Sequence, residues 1–219
     1  MEKNFKDKKL IVFDMDGTIL NTIEDITLCV NYILEKYGMP IRTVEEVKFF
    51  VGNGLLKTLK RSVPDDCSDD MIERIYPEFT AYYKEHSNIN TKPYEGIVEV
   101  IKELRRRGYK TAVVSNKRDE AVSSLCEIFY KDVFDISLGD KDGMKVKPAP
   151  DMVHYVLNEL GVKNDEAVYI GDSDVDIMTA VNSEMDYISV SWGFRSREFL
   201  IEHGAGIIVD EPVKLLDLF

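Results

Sequence analysis

The chain has 219 residues, 44% of them hydrophobic and 31% charged, which suits a soluble globular domain or a domain carrying a large insertion. Its 28 Lys and Arg face 40 Asp and Glu, and the net charge of -12 disfavours a nonspecific grip on nucleic acid or anionic lipid while leaving room for a small anionic substrate. No apolar run approaches the ~20 residues of a membrane helix, the charged start "MEKNFKDKK" does not read as a secretory leader, and three scattered cysteines (Cys29, Cys67, Cys126) match no metal or redox pattern, so a cytoplasmic setting is expected.

The first element is the run Leu10-Ile11-Val12-Phe13, which reads as a strand buried on both faces, the kind used in parallel sheets. It ends abruptly in Asp14-Met15-Asp16-Gly17-Thr18. Burying one carboxylate is costly, and a second beside it makes both harder to ionise, so a positive group belongs there. From about residue 22 to 86 the pattern turns helical. Ile23, Ile26, Val30, Ile33 and Leu34 share one face of a helix that Gly38 and Pro40 end, and further helices are expected over 43–50, 55–62 and 68–86.

Strand and helix alternate again from Pro93. A helix in "PYEGIVEVIKELRRRG" stops at Gly108, "YKTAVVSN" is a buried strand, a helix covers 119–129, and a short strand is expected near 133–138. A helix over about 150–160 leads to the strand "EAVYI", which runs into "GDSDVD"; "MDYISVS" and "AGIIV" supply two last strands. That rhythm predicts an α/β fold with a mainly parallel sheet. The first strand belongs with the later ones, so residues 1–18 and 88–219 are expected to form the core and 20–86 an inserted helical domain.

Ligands of open parallel sheets sit at the carboxyl ends of the strands. Here those ends carry Asp14 and Asp16, then Ser115, Asn116 and Lys117, then Asp172, Asp174 and Asp176, with Lys147 in "KVKPAP" between the last two groups. Asp14, Asp16 and Asp172 are hard oxygen ligands suited to Mg²⁺, while Lys147 and Ser115 can hold phosphoryl oxygens and Gly17 lets backbone N–H groups come close. A carboxylate facing a metal-bound phosphate can form an aspartyl-phosphate, and a second carboxyl two residues on can protonate the leaving oxygen and then activate water. Taken singly, each feature has a plain structural explanation: D-x-D-G is a turn, Ser115 a helix cap, Lys147 a solvated loop charge. Their joint occurrence, in order at one end of successive strands, is what points to a site.

With those residues in place, "DMDGT", "VVSN", "KPAP" and "GDSDVD" resemble the four ordered motifs of the haloacid dehalogenase-like phosphatases, across essentially the whole chain. The resemblance implies a Rossmann-like three-layer core with a helical cap. It implies Asp14 as nucleophile and Asp16 as general acid/base; Mg²⁺ held by Asp14, the backbone carbonyl of Asp16, and Asp172; and Thr18, Ser115, Asn116 and Lys147 around the phosphoryl group. Asp176 would orient Lys147 or metal-bound water. Members that displace halide lack the second Asp, so hydrolysis of a phosphate ester is expected. Asn21 stands where relatives commonly have Asp, yet it can still accept a hydrogen bond.

The segment "FFVGNGLLKTLKRSV" resembles the cap of phosphoglycolate phosphatases, as do "NK" after Ser115 and "SWGF" at 191–194. It is not a Walker A loop, because Leu56 stands where a glycine must precede Lys57. Gly54 and Arg61 are the cap residues expected to set specificity, Arg61 by meeting a second anionic group. The expected partner is a small phosphorylated metabolite, 2-phosphoglycolate first, with neither nucleic acid nor membrane, in a monomer or homodimer. A pyrophosphatase, a sugar-phosphate phosphatase and a β-phosphoglucomutase-like phosphotransferase are the alternatives.

Overall fold

The computed structural model describes residues 4–219, so the first three residues of the charged start lie outside it. It resolves into an α/β unit, made of the described residues up to Leu20 together with Pro93–Phe219, and a helical unit, Asn21–Lys92.

The α/β unit begins with β1 (Leu10–Phe13), whose four residues are all fully buried. The chain leaves through β2 (Leu20–Asn21). In the helical unit, α1 (Ile23–Lys36) buries the stripe Ile23, Ile26, Val30, Ile33 and Leu34, and Ile23 N–H donates to Asn21 Oδ1 at 3.5 Å. Next comes α2 (Val44–Phe50), opened by a reciprocal cap in which Glu46 N–H donates to Thr43 Oγ1 and Thr43 N–H to Glu46 Oε2. Then follow α3 (Leu55–Ser62) and α4 (Asp69–His86), the latter capped by Ser68.

The return crossing falls at β3 (Lys92–Pro93), a few residues later than the expected boundary at 86–88. The cause is Asp25, a fully buried carboxylate on α1. It accepts from the backbone N–H groups of Asn90 and Thr91, from Asn90 Nδ2 and from Thr91 Oγ1 at 2.7–3.0 Å. Those bonds tie the segment after α4 to the helical unit. The two-residue strands β2 and β3 carry too few residues to leave a periodic signal, and the sequence reading has no counterpart for them.

The α/β unit continues with α5 (Ile97–Arg106), β4 (Lys110–Arg118), α6 (Asp119–Phe129), β5 (Ile136–Asp140), α7 (Asp151–Leu160), β6 (Ala167–Gly171), α8 (Asp174–Asn182), β7 (Asp186–Val190), α9 (Arg197–Glu202) and β8 (Ile208–Val209). β5 starts later than expected because Asp132 adopts φ 58°, a left-handed turn, before Val133 packs into the core. The six-stranded sheet runs β5-β4-β1-β6-β7-β8 with parallel pairings throughout. Alternate residues of β1 feed opposite faces: Ile11 and Phe13 join Ile101, Leu104 and Leu125 of α5 and α6, while Leu10 and Val12 join Val153, Val156 and Ala180 of α7 and α8. This gives three layers, as the family resemblance implies.

The strand order reverses at β1. The chain steps from β1 out to β4 and β5, then returns to β6 on the other side. Phe13 lies level with Val113 and with Ile170, so the carboxyl ends of β4, β1 and β6 finish side by side at the switch point.

Candidate active site

Everything chemical converges on that edge. Asp14 follows β1 directly, with its backbone N–H donating to Ile170 O at 2.9 Å. The next residues turn tightly: the N–H groups of Thr18, Ile19 and Leu20 all reach Met15 O, and Gly17 N–H reaches Leu20 O. Gly17 sits at φ 89°, and a Cβ there would run into the Asp172 carboxylate. The glycine thus does more than admit an anion to the backbone; it admits Asp172.

Lys147 is the hub. Its ammonium is buried and donates to Asp14 Oδ1 at 2.7 Å, Asp176 Oδ1 at 2.8 Å and the Tyr169 hydroxyl at 3.0 Å. A reciprocal clamp holds its backbone: Lys147 N–H donates to Asn116 Oδ1 at 2.8 Å, and Asn116 Nδ2 donates to Lys147 O at 3.0 Å. The Asn116 side chain, expected at the phosphoryl group, therefore has its oxygen and nitrogen on the backbone of Lys147. Asp176 is the third residue of α8, and its Oδ2 accepts from Ser173 N–H and Oγ in a capping box that leaves Oδ1 for Lys147.

Asp172 follows β6. Its Oδ2 accepts from Phe194 N–H at 2.7 Å and its Oδ1 from Thr18 Oγ1 at 3.3 Å. A Cβ on Gly193 would meet Asp172 and Gly17 O, so the loop after β7 comes this close only as glycine. Trp192 Nε1 donates to Thr18 O at 3.0 Å and fastens the same loop to the turn after β1.

Ser115, Asn116 and Lys117 lie where β4 departs from regular register: Val114 pairs with Leu138, Arg118 with Asp140. Three residues thus face the single Gly139, and such a bulge re-aims side chains. All three are buried, at 2%, 7% and 5% exposure. Lys117 Nζ forms an ion pair with Asp16 Oδ1 at 2.9 Å.

The electrostatics follow from burial. Desolvation, then repulsion from Asp176, raises the Asp14 carboxyl well above its ordinary value despite Lys147. Desolvation and Asp176 also push Asp172 up to about 7, against the pull of Phe194 N–H and Arg195. Burial alone would drive Lys147 toward neutrality, but Asp14 and Asp176 more than offset it and raise its pKa. Tyr94 is raised by its burial, with Asp172 and Asp16 nearby. Around Asp14, Asp172 and Asp176, one ammonium, that of Lys147, faces three buried carboxyl groups. Asp14, Asp172 and Asp176 each offer a carboxylate oxygen within 4.8 Å of the others, a hard-oxygen set that fits a divalent cation. Lys147 and Ser173 engage both oxygens of Asp176 at 2.8 and 2.6 Å, whereas Asp172 Oδ1 accepts only a longer 3.3 Å bond from Thr18 Oγ1 and Lys147 bonds Asp14 through Oδ1, which makes Asp14 and Asp172 the better-placed ligands of that set.

The structure thus brings Asp14, Asp16, Thr18, Ser115, Asn116, Lys147, Asp172 and Asp176 to one sheet edge. Gly54 and Arg61 belong to the helical unit: Gly54 precedes α3 at φ 84°, and Arg61 donates to Phe50 O at 3.0 Å and to Asn53 Oδ1 at 3.4 Å. Among the site residues without a role in the sequence reading are Tyr169, Tyr94, Lys117 and Gly193. "SWGF" and "NK" marked the last two only as resemblances.

The family model described as haloacid dehalogenase-like hydrolase matches residues 11–190. A phosphoglycolate phosphatase of Nitrosococcus oceani is 27% identical over 217 residues, covering 97% of this chain and 93% of that one. A candidate pyrophosphatase of Caldanaerobacter subterraneus is 32% identical over 210 residues, covering 95% and 93%. Among solved structures, a candidate phosphoglycolate phosphatase from Lactobacillus delbrueckii superposes with a TM-score of 0.90 at 42% identity, covering 97% of both chains.

Proposed function

The chain belongs to the haloacid dehalogenase-like hydrolases and is a phosphoric monoester hydrolase; from that premise we propose that it cleaves a small phosphate monoester through an aspartyl-phosphate on Asp14, with Mg²⁺ as cofactor. One observation carries the reading. Asp14 stands at the switch point with Lys147 on one of its oxygens and Asp172 beside it, which supports reading the three as nucleophile, anion-binding cation and metal ligand in one buried spot.

A divalent cation there, held by Asp14, the Asp16 backbone carbonyl and Asp172, would offset the charge of the incoming phosphoryl group so that two anions can meet. The remaining steps fall to side chains. A carboxylate oxygen of Asp14 bonds to phosphorus as the ester P–O bond breaks, and the leaving oxygen keeps the electron pair and takes a proton from Asp16. Asp16 then takes a proton from water, whose oxygen bonds to phosphorus as the bond to Asp14 breaks. Phosphate leaves and both aspartates are restored. Lys147, Ser115 and Thr18 bind phosphoryl oxygens, Asn116 acts through its hold on Lys147, and Asp176 keeps that ammonium in place.

For the substrate we favour 2-phosphoglycolate, supported by relatives named for that activity that cover nearly the whole chain. The helical unit serves as cap in this reading, with Gly54 and Arg61 setting specificity; unchanged kinetics in Arg61→Ala on every hydrolysed ester would remove that part. Pyrophosphate is the second reading, supported by the relative at 32% identity. Three free cysteines, two of them buried, agree with a reducing cytoplasmic location. Phosphate release across a panel of phosphorylated metabolites, with Mg²⁺ and with excess chelator, tests the whole proposal. It predicts metal-dependent release with 2-phosphoglycolate ahead of sugar phosphates and pyrophosphate. Equal turnover in chelator contradicts the metal role.

A further inference from the structure

We propose that Lys117 is a positioning residue for hydrolysis, holding the Asp16 carboxyl group where it passes its proton to the leaving group. The inference rests on the acid/base reading of Asp16.

The geometry singles it out. The Asp16 backbone is fixed by the tight turn around Met15 O and by a bridge to Leu20, so its placement leaves only the side chain to be directed. Lys117 Nζ meets that carboxylate at 2.9 Å with only 2% of its own side chain exposed. The lysine backbone is fixed in turn. Its N–H donates to Ser115 Oγ at 3.3 Å, and its carbonyl packs so closely on Gly139 that a Cβ there would lie 2.6 Å away. The bulge in β4 thus turns a cation inward from a rigid strand onto a carboxylate on a rigid turn. Burying a lysine for stability alone is a poor use of the position, because ion pairs of this kind gain little over apolar packing. Aiming a carboxylate is a use that apolar packing could not replace, since proton transfer demands hydrogen-bond distance to the reacting atoms.

The proposal separates from a substrate-binding role for Lys117 by the leaving group. An ester of p-nitrophenol departs with little protonation, whereas an alkyl ester needs it. Mg²⁺-loaded wild type, Lys117→Met, Asp16→Asn and the double variant are compared on a graded series of aryl and alkyl phosphates. Expected for Lys117→Met is a kcat loss that grows from aryl to alkyl esters, reaching about 10–100-fold, with KM within about twofold of wild type. Added to Asp16→Asn, it costs nothing further. The rise of melting temperature with Mg²⁺ concentration stays that of wild type. A loss equal across all esters, a loss expressed in KM, or a further loss in the double variant overturns the proposal. Should Lys117→Met fail to fold, Lys117→Arg decides by the same profile: a defect confined to alkyl esters supports it, a flat one overturns it. If wild type hydrolyses no ester, or Asp16→Asn matches wild type, the acid/base reading itself falls, a result distinct from either profile of Lys117.

Discussion

Lys147 Nζ lies 2.7 Å from Asp14 Oδ1, so the ammonium that would receive a phosphoryl group already rests on the carboxylate that would attack it. It also lies 2.8 Å from Asp176 Oδ1, so one ammonium bridges the two acids. Lys147→Met keeps the volume and removes the charge. In metal-free protein it should lower stability by roughly 3–5 kcal/mol, as breaking a buried pair does. Turnover should fall about 10²–10³-fold, as when one stabilising donor is lost. Chemical denaturation and initial rates, measured on the same preparation, check both.

Gly193 and Gly17 close on Asp172 from two sides. Gly193→Ala should leave the sheet intact yet displace the Asp172 carboxylate and its bond from Phe194 N–H. The expected outcome is a far-UV spectrum like wild type, with the Mg²⁺ concentration for half-maximal activity raised by about tenfold or more, as for loss of a supporting contact at a metal site. A metal requirement equal to wild type would show that the loop is a bystander.

The pH dependence follows from Asp172, whose carboxyl stands at about 7 in the fold against an ordinary 3.8. Between those values the native state holds a proton that the unfolded chain has released. Its stabilising contribution is therefore complete below the ordinary value and is lost as pH rises through about 7. Metal binding needs the ionised form. The gain in melting temperature on adding Mg²⁺ should thus grow between about pH 5 and about pH 8. A gain that is flat across that window would contradict the raised carboxyl or its role as ligand.

How much of this could be read from the chain depended on where each residue's signal lies. Asp14, Ser115 and Asp172 stand at abrupt changes from an apolar run to polar residues, which mark the carboxyl end of a strand whatever the tertiary context. Lys147 needed only its prolines and its place between two such ends. Tyr169 alternates along β6 with ordinary core residues, and its hydroxyl declares itself only once Lys147 is beside it. Lys117 is hidden by the β4 bulge, because regular alternation would not turn three successive side chains inward. Gly193 acts by the lack of a side chain at a contact across the fold from Asp172. Asp25 looked like one more first-turn acid on α1, and its partners lie 65 residues away.

Asp25 yields a prediction of its own. Asp25→Ala leaves the backbone N–H groups of Asn90 and Thr91 without their acceptor, at a cost of about 2–4 kcal/mol. Limited proteolysis should then cut preferentially in 87–92. A variant as resistant as wild type would mean that these bonds do not fasten the return segment.

The most direct measurement on the central claim is rapid acid quench during turnover, followed by mass spectrometry of the peptide that carries Asp14. The account predicts a phosphoryl group on Asp14 that disappears when substrate is exhausted, together with neither adduct nor turnover in Asp14→Asn. Turnover by Asp14→Asn, or a phosphoryl group trapped on a different residue, would contradict it.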